Sequence, residues 1–145
     1  MIGNKRLLDL VKLAFGPLCN LFSLKIREMP ENEVAVIGSG YVLLVWLDRD
    51  GVSVKYVDVA QSTGLATIDL GSFLAMKRTW TVDDSVPATG DFESQVHRGL
   101  MSFAKTLESA GPDILEGCKE WLSDVPDAPL KLSTQHVELI RELMI

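Results

Sequence analysis

The chain is poor in the residues that most enzymes use for chemistry. It has two cysteines and two histidines in 145 residues. Cys19 and Cys118 cannot form a disulfide framework and fit no C-x-x-C spacing. They read as two buried thiols in a reducing compartment. His97 and His136 have no metal-ligand spacing to each other or to a cysteine, and each reads as a surface or edge residue of a helix. Sequence leaves a Cys118/His97 or Cys118/His136 pair open, but Cys118 falls on the apolar side of an expected helix, where a thiol is usually inert. The expectation is no enzyme, no cofactor and no metal.

Long hydrophobic runs are also lacking. The longest unbroken one, Tyr41 to Leu47, falls far short of the ~20 residues a membrane helix needs. Lys5 and Arg6 precede apolar residues, yet Asp9 and Lys12 interrupt any export segment, and Cys19 follows Pro17-Leu18 where a lipoprotein site wants small residues. The expected location is the cytoplasm, with no membrane partner.

Apolar residues make up 47% and charged residues 23%, the balance of a globular chain whose length suits a single domain, 1–145. Formal charge is −6 and uneven: residues 1–28 hold Lys5, Arg6, Lys12, Lys25 and Arg27 against Asp9 and Glu28, a net of +3, which leaves −9 for the rest. An acidic body disfavours nucleic acid and favours a basic partner. Acidic balance also serves solubility alone.

A third glycine is missing from "VAVIGSGYVLLVWLDRDG", residues 34–51. A dinucleotide site needs G-x-G-x-x-G at the start of a helix. Here Gly38-Ser39-Gly40 leads into Tyr41 to Leu47, aromatic and β-branched residues that favour a strand, so the glycines mark a hairpin turn. In "DRDG", Asp48 and Asp50 resemble a calcium loop, but Gly51 comes too early and no closing glutamate follows. This too reads as a hairpin turn.

Around these turns the pattern predicts an α+β domain. Leu7, Leu10, Val11 and Ala14 define a helix over 4–15, capped by Asn4 and ended by Gly16-Pro17. Residues 20–59 alternate as a four-strand antiparallel meander, whose third strand is apolar on both faces and therefore covered on both. "IDLGSFLAMKR" predicts a short helix capped by Asp69, and "TVDDSVPATGD" an exposed acidic loop. Phe92, Val96, Leu100, Phe103 and Leu107 form a helical stripe with Asp91 at its start. Pro112 opens a further helix carrying Ile114, Leu115, Cys118, Trp121 and Leu122, and Ser133 caps a last one with Val137, Ile140, Leu143 and Met144. The helical C-terminal half is expected to pack on a sheet face.

Of three tryptophans, Trp46 belongs in the core and Trp80 is the one expected to be accessible. The adjacent acids Asp83-Asp84 and the pair Asp91 and Glu93 read either as a solvated loop or as an acidic recognition patch.

"LMSFAKTLESAGPDILEGCKEW", residues 100–121, resembles the helical hairpin of small bacterial immunity proteins of polymorphic and contact-dependent growth-inhibition toxin systems. The matching positions are Ala104, Leu107, Asp113, Ile114, Leu115 and Gly117, while Cys118-Lys119 departs from the family's wording. "VLLVWLDRDGVSVKYVDV" and "IDLGSFLAMKR" look like the paired strands and the short element that follows them in that group. The resemblance implies a cytoplasmic protein that binds and occludes a cognate toxin, often a basic nuclease, without catalysing a reaction. Asp48, Asp50, Trp80, Asp83, Asp84, Asp91 and Glu93 would then be the toxin-binding residues. On the premise that loop acids have no packing duty, reversing Asp83, Asp84, Asp91 and Glu93 to lysine should abolish protection and leave the melt nearly unchanged. The competing class is an acidic secretion chaperone, which "LVKLAFGPLCNLFSLKI" also resembles. Oligomeric state is not legible.

Overall fold

The computed structural model describes residues 3–30, 32–48, 51–59, 66–85, 90–125, 130–131 and 134–143. Helix α1 (Asn4–Phe22) leads into strands β1 (Lys25–Met29), β2 (Glu33–Ile37), β3 (Tyr41–Asp48), β4 (Gly51–Asp58) and β5 (Ala66–Asp69). Helices α2 (Leu70–Lys77), α3 (Phe92–Ala110) and α4 (Pro112–Leu115), a 3-10 turn (Glu120–Asp124), strand β6 (Leu130–Lys131) and helix α5 (Thr134–Leu143) complete the chain. The sheet is antiparallel throughout, in the order β1-β2-β3-β4-β5-β6. The fold is α+β, with the expected helix, meander and helical cover.

The meander is longer than the four strands the alternation predicts. β5 extends it beside Lys55–Asp58, and the two-residue β6 pairs with Ala66 and Thr67. Such short strands carry too few residues for a period of two to stand out.

Helix α1 runs past Gly16-Pro17 to Phe22. Pro17 deprives the Leu13 carbonyl of its helical donor, but Leu13 is 59% exposed, so the break lies on the solvent side of the helix. Burial of Leu7, Leu10, Val11, Ala14, Phe15 and Leu18 on the other side keeps the helix intact. Ser23 ends it in the left-handed conformation at φ 56°, and the Leu24 N–H donates to the Cys19 carbonyl. The predicted first strand therefore begins later, at Lys25. Asn4 does not cap α1: Gly3 holds that position, and the Asn4 amide donates to the Met29 carbonyl 3.2 Å away.

Two cores flank the sheet. Val34, Val36, Tyr41, Leu43, Val45, Val54 and Tyr56 face α1, α2, α3 and Trp121. Ala35, Ile37, Val42, Leu44 and Val57 face the other way and are packed by Val137 and Ile140 of α5. This double cover is why β3 is apolar on both faces. Trp46 is half-buried on the α5 side, with the Lys55 ammonium 4.4 Å from its ring centroid, rather than a core residue. Ser133 and Met144 lie outside the described residues.

The helix expected after Pro112 is a single turn. Gly117 adopts φ +93°, its N–H donates to the Ile114 carbonyl, and the Cys118 N–H donates to the Asp113 carbonyl, which ends the turn before Cys118. Cys118 is consequently exposed and Cys19 half-buried, not a pair of buried thiols. Burial raises the Cys19 thiol pKa.

Arg78, just after α2, latches this turn to the rest. Its guanidinium grips Asp113 with both oxygens, at 3.0 and 3.1 Å, and donates to the Ala110 carbonyl. The hydrogen bond from Arg78 holds the Asp113 carboxyl below its ordinary value of 3.8, against a smaller opposing effect of burial. The folded state thus binds fewer protons in that window. The contribution is complete above about pH 4 and is lost as pH falls through the depressed folded value. Asp113→Asn is expected to cost about 1 kcal/mol at pH 7, since the pair is partly solvated, and to flatten the acid limb of stability. Urea unfolding from pH 7 to pH 3 checks this; an unchanged pH slope would argue against it.

Candidate functional site

The segment after Arg78 crosses α3 in extended form, pinned by two buried hydroxyls. The Thr81 N–H donates to Thr106 Oγ1 at 2.9 Å, which donates back to the Thr81 carbonyl, and the Asp83 N–H donates to Ser102 Oγ at 2.9 Å. Ser102 and Thr106 interrupt the apolar stripe of α3 four residues apart, on the same helix face. Their spacing in "SFAKT" is a sequence signal for a docked strand-like segment, one that apolar periodicity alone does not show. The clamp sets Trp80 edge-on against Phe103, centroids 5.4 Å apart, and leaves Trp80 37% and Val82 46% exposed. Trp80 is accessible, as expected.

Beside Trp80 lies an open groove of about 370 Å³, lined by Val52, Ser53 and Val54 of β4, Asp69, Gly71 and Ala75 around α2, and Gly99 and Phe103 of α3. Two of these residues are helical glycines, each costing stability relative to alanine. At Gly99 the cost has a packing reason: a Cβ there would lie 3.2 Å from Val52 Cγ1. At Gly71 a Cβ would meet Phe103 at an ordinary 3.4 Å, so packing does not require glycine.

The acids expected to form a patch lie along the first three turns of α3, Asp91 and Glu93 at its start, Asp84 by Arg98 and Asp83 by Ser102, but most have structural work. Asp91 caps α3, accepting from the Ser94 N–H at 2.8 Å and its hydroxyl at 3.0 Å. Asp83 accepts from both the hydroxyl and the N–H of Ser85, and these bonds lower its pKa, the hydroxyl bond most. Glu93 pairs with Arg6 of α1. Asp84, its side chain 90% exposed, makes one 3.3 Å contact to Arg98. The premise that these acids carry no packing duty is therefore corrected, and the fourfold reversal to lysine would cost stability through the lost cap and turn. Among them Asp84 is the carboxylate most available for recognition.

The paired ends of β3 and β4, where Asp48 stands opposite Gly51, lie towards the start of α3. Val52, next to Gly51, sits against Gly99, and α3 begins two turns before Gly99. Asp50 and the Asp48 side chain fall outside the described residues.

The other end holds a second polar cluster. Gly38 and Gly40 form the β2–β3 turn, as the missing third glycine implied. A Cβ on Gly38 would sit 2.1 Å from the Tyr41 ring, and Gly40 takes φ +77°. Lys119 lies over this turn and donates to the Gly40 carbonyl at 2.7 Å, Tyr56 Oη at 2.8 Å and Asp58 Oδ1 at 3.1 Å. Tyr41 donates to the Leu115 carbonyl at 2.8 Å. Burial pushes both tyrosine hydroxyls well above their ordinary pKa. With all three ammonium protons in use, Lys119 is a structural clamp. His97 lies in the second turn of α3, towards the opposite end from Cys118, so the open Cys118/His97 pairing does not form; the His136 side chain is outside the described set. Among the described residues no three His, Cys, Asp or Glu side chains are grouped to hold a metal, and no described helix is long and apolar enough to cross a membrane.

Comparison with known protein families, curated proteins and solved structures finds no match.

Proposed function

We propose that this chain is an immunity-type inhibitor that binds a basic protein toxin in the cytoplasm and occludes it, without catalysing a reaction. The observation that carries the reading is Trp80: a half-exposed tryptophan fixed by Phe103 and the Thr81–Thr106 clamp, at the edge of an apolar groove and four residues from the exposed Asp84. A rigid aromatic anchor beside a pocket is the arrangement that dominates binding energy at protein interfaces. The acidic body supplies long-range steering towards a basic partner.

The test is co-expression with a basic toxin, sought first among the genes that neighbour this one. The wild-type chain is expected to restore growth and bind the purified toxin. Trp80→Ala combined with Asp84→Lys is expected to weaken binding about 100-fold, the scale of one hot-spot side chain plus a reversed charge. A folded double variant that protects as well as wild type would rule out this surface.

The secretion-chaperone reading draws on one observation. Resemblance to that class implies further strands and one last helix in the second half; here β6 returns to the sheet and α5 follows it, closer to that pattern than the mostly helical tail the periodicity predicts. Binding to a neighbouring effector, with no toxin protection, would favour it.

A further inference from the structure

We infer that the groove between β4, α2 and α3 is a receptor for a single arginine side chain presented by the protein partner. This deepens the inhibitor reading by naming the chemistry of the contact, and it rests on that reading for the arginine being carried by a protein.

The groove has the two-part character of an arginine. Its walls, Val52, Val54, Ala75, Trp80 and Phe103, suit a methylene stem, and its lining includes one charged group, the Asp69 carboxylate. Asp69 Oδ1 accepts from the Ser72 N–H at 3.1 Å, while among the described residues no donor is seen on Oδ2. Asp69 is itself the α2 cap, and the partial positive charge of that N-terminus is only about half a unit, so the carboxylate is partly offset and a net negative charge remains at the groove. The volume of about 370 Å³ is roughly that of a dozen waters, enough for one long side chain and some solvent but not for a helix. Exposed Asp84 and the net charge of −6 add the same sign of field. A lysine would reach the same carboxylate, but only a planar guanidinium also stacks on aromatic rings. The absence of a side chain at Gly71, which packing does not demand, keeps the space open.

The test uses isotope-labelled full-length protein and small probes, independent of any toxin. N-acetyl-arginine amide is expected to give saturable amide shifts at Gly71 and Gly99 and a shift of the Trp80 indole. N-acetyl-citrulline amide, equal in shape but neutral, is expected to bind at least about fivefold more weakly, consistent with loss of a charge-assisted pair. Ala75→Leu, which plugs the groove from the solvent side of α2, should abolish the shifts with an unchanged melt, and Gly71→Ala should weaken them. No saturable shift with the arginine probe, equal affinity for citrulline, or full binding by Ala75→Leu would each overturn the assignment. The arginine site can fail while toxin protection stands, and protection can fail while the probe still binds, so the two proposals are separately decided.

Discussion

Trp121→Ala is expected to lower stability by about 4 kcal/mol, the usual loss for a buried tryptophan cut to alanine. For a chain of this size that is a fall of roughly 12 °C in melting temperature. Trp121 is 2% exposed, meets Tyr56 edge-on at 4.7 Å and Phe73 at 4.8 Å, and donates its indole N–H to the Cys118 carbonyl. It ties the segment after α4 to both the sheet and α2. Removing it opens a cavity between three elements that cannot collapse together, because β4 is fixed by its neighbours in the sheet. Chemical denaturation would decide the matter: a loss below about 1 kcal/mol would mean the site can close.

Lys119→Met should cost about 2 kcal/mol, less than a fully buried pair because the Lys119 side chain keeps 33% of its exposure. The residue is long enough to preserve the apolar contact with the tyrosine rings. What it loses is the charge that faces Asp58, only 8% exposed, and the donors to Gly40 and Tyr56. A cycle with Asp58→Asn isolates the coupling. A coupling near zero would show that solvent replaces the ammonium freely. Under the proposed inhibitor reading, toxin protection by folded Lys119→Met should be retained, since this cluster lies at the end of the sheet away from the groove beside Trp80.

Much of the candidate site was legible. Trp80 sits between an apolar stretch and a polar loop, which marks it as accessible, and Asp69 and Asp91 stand at helix starts, where both cap. The internal duties of Asp83 and Glu93 were hidden. Ser85 reaches Asp83 only through the local turn, and Arg6 reaches Glu93 across 87 positions of sequence. The groove was invisible for the same reason: β4, α2 and α3 supply its walls, and no local pattern joins them.

Sequence alone determined the class of fold, the hairpin at Gly38-Ser39-Gly40, the double cover of β3 and the starts of α2 and α3, capped by Asp69 and Asp91. These follow from period, turn chemistry and capping, which act within a few residues. Tertiary structure decided the rest. Buried contacts on one side of α1 outweighed the break at Pro17, a left-handed Gly117 pressed against Ser39 cut the helix after Pro112 to one turn, and that turn put Cys118 in solvent. At Pro17 the packing of several buried side chains overrode a propensity worth about 3 kcal/mol, a contest settled only where distant segments meet.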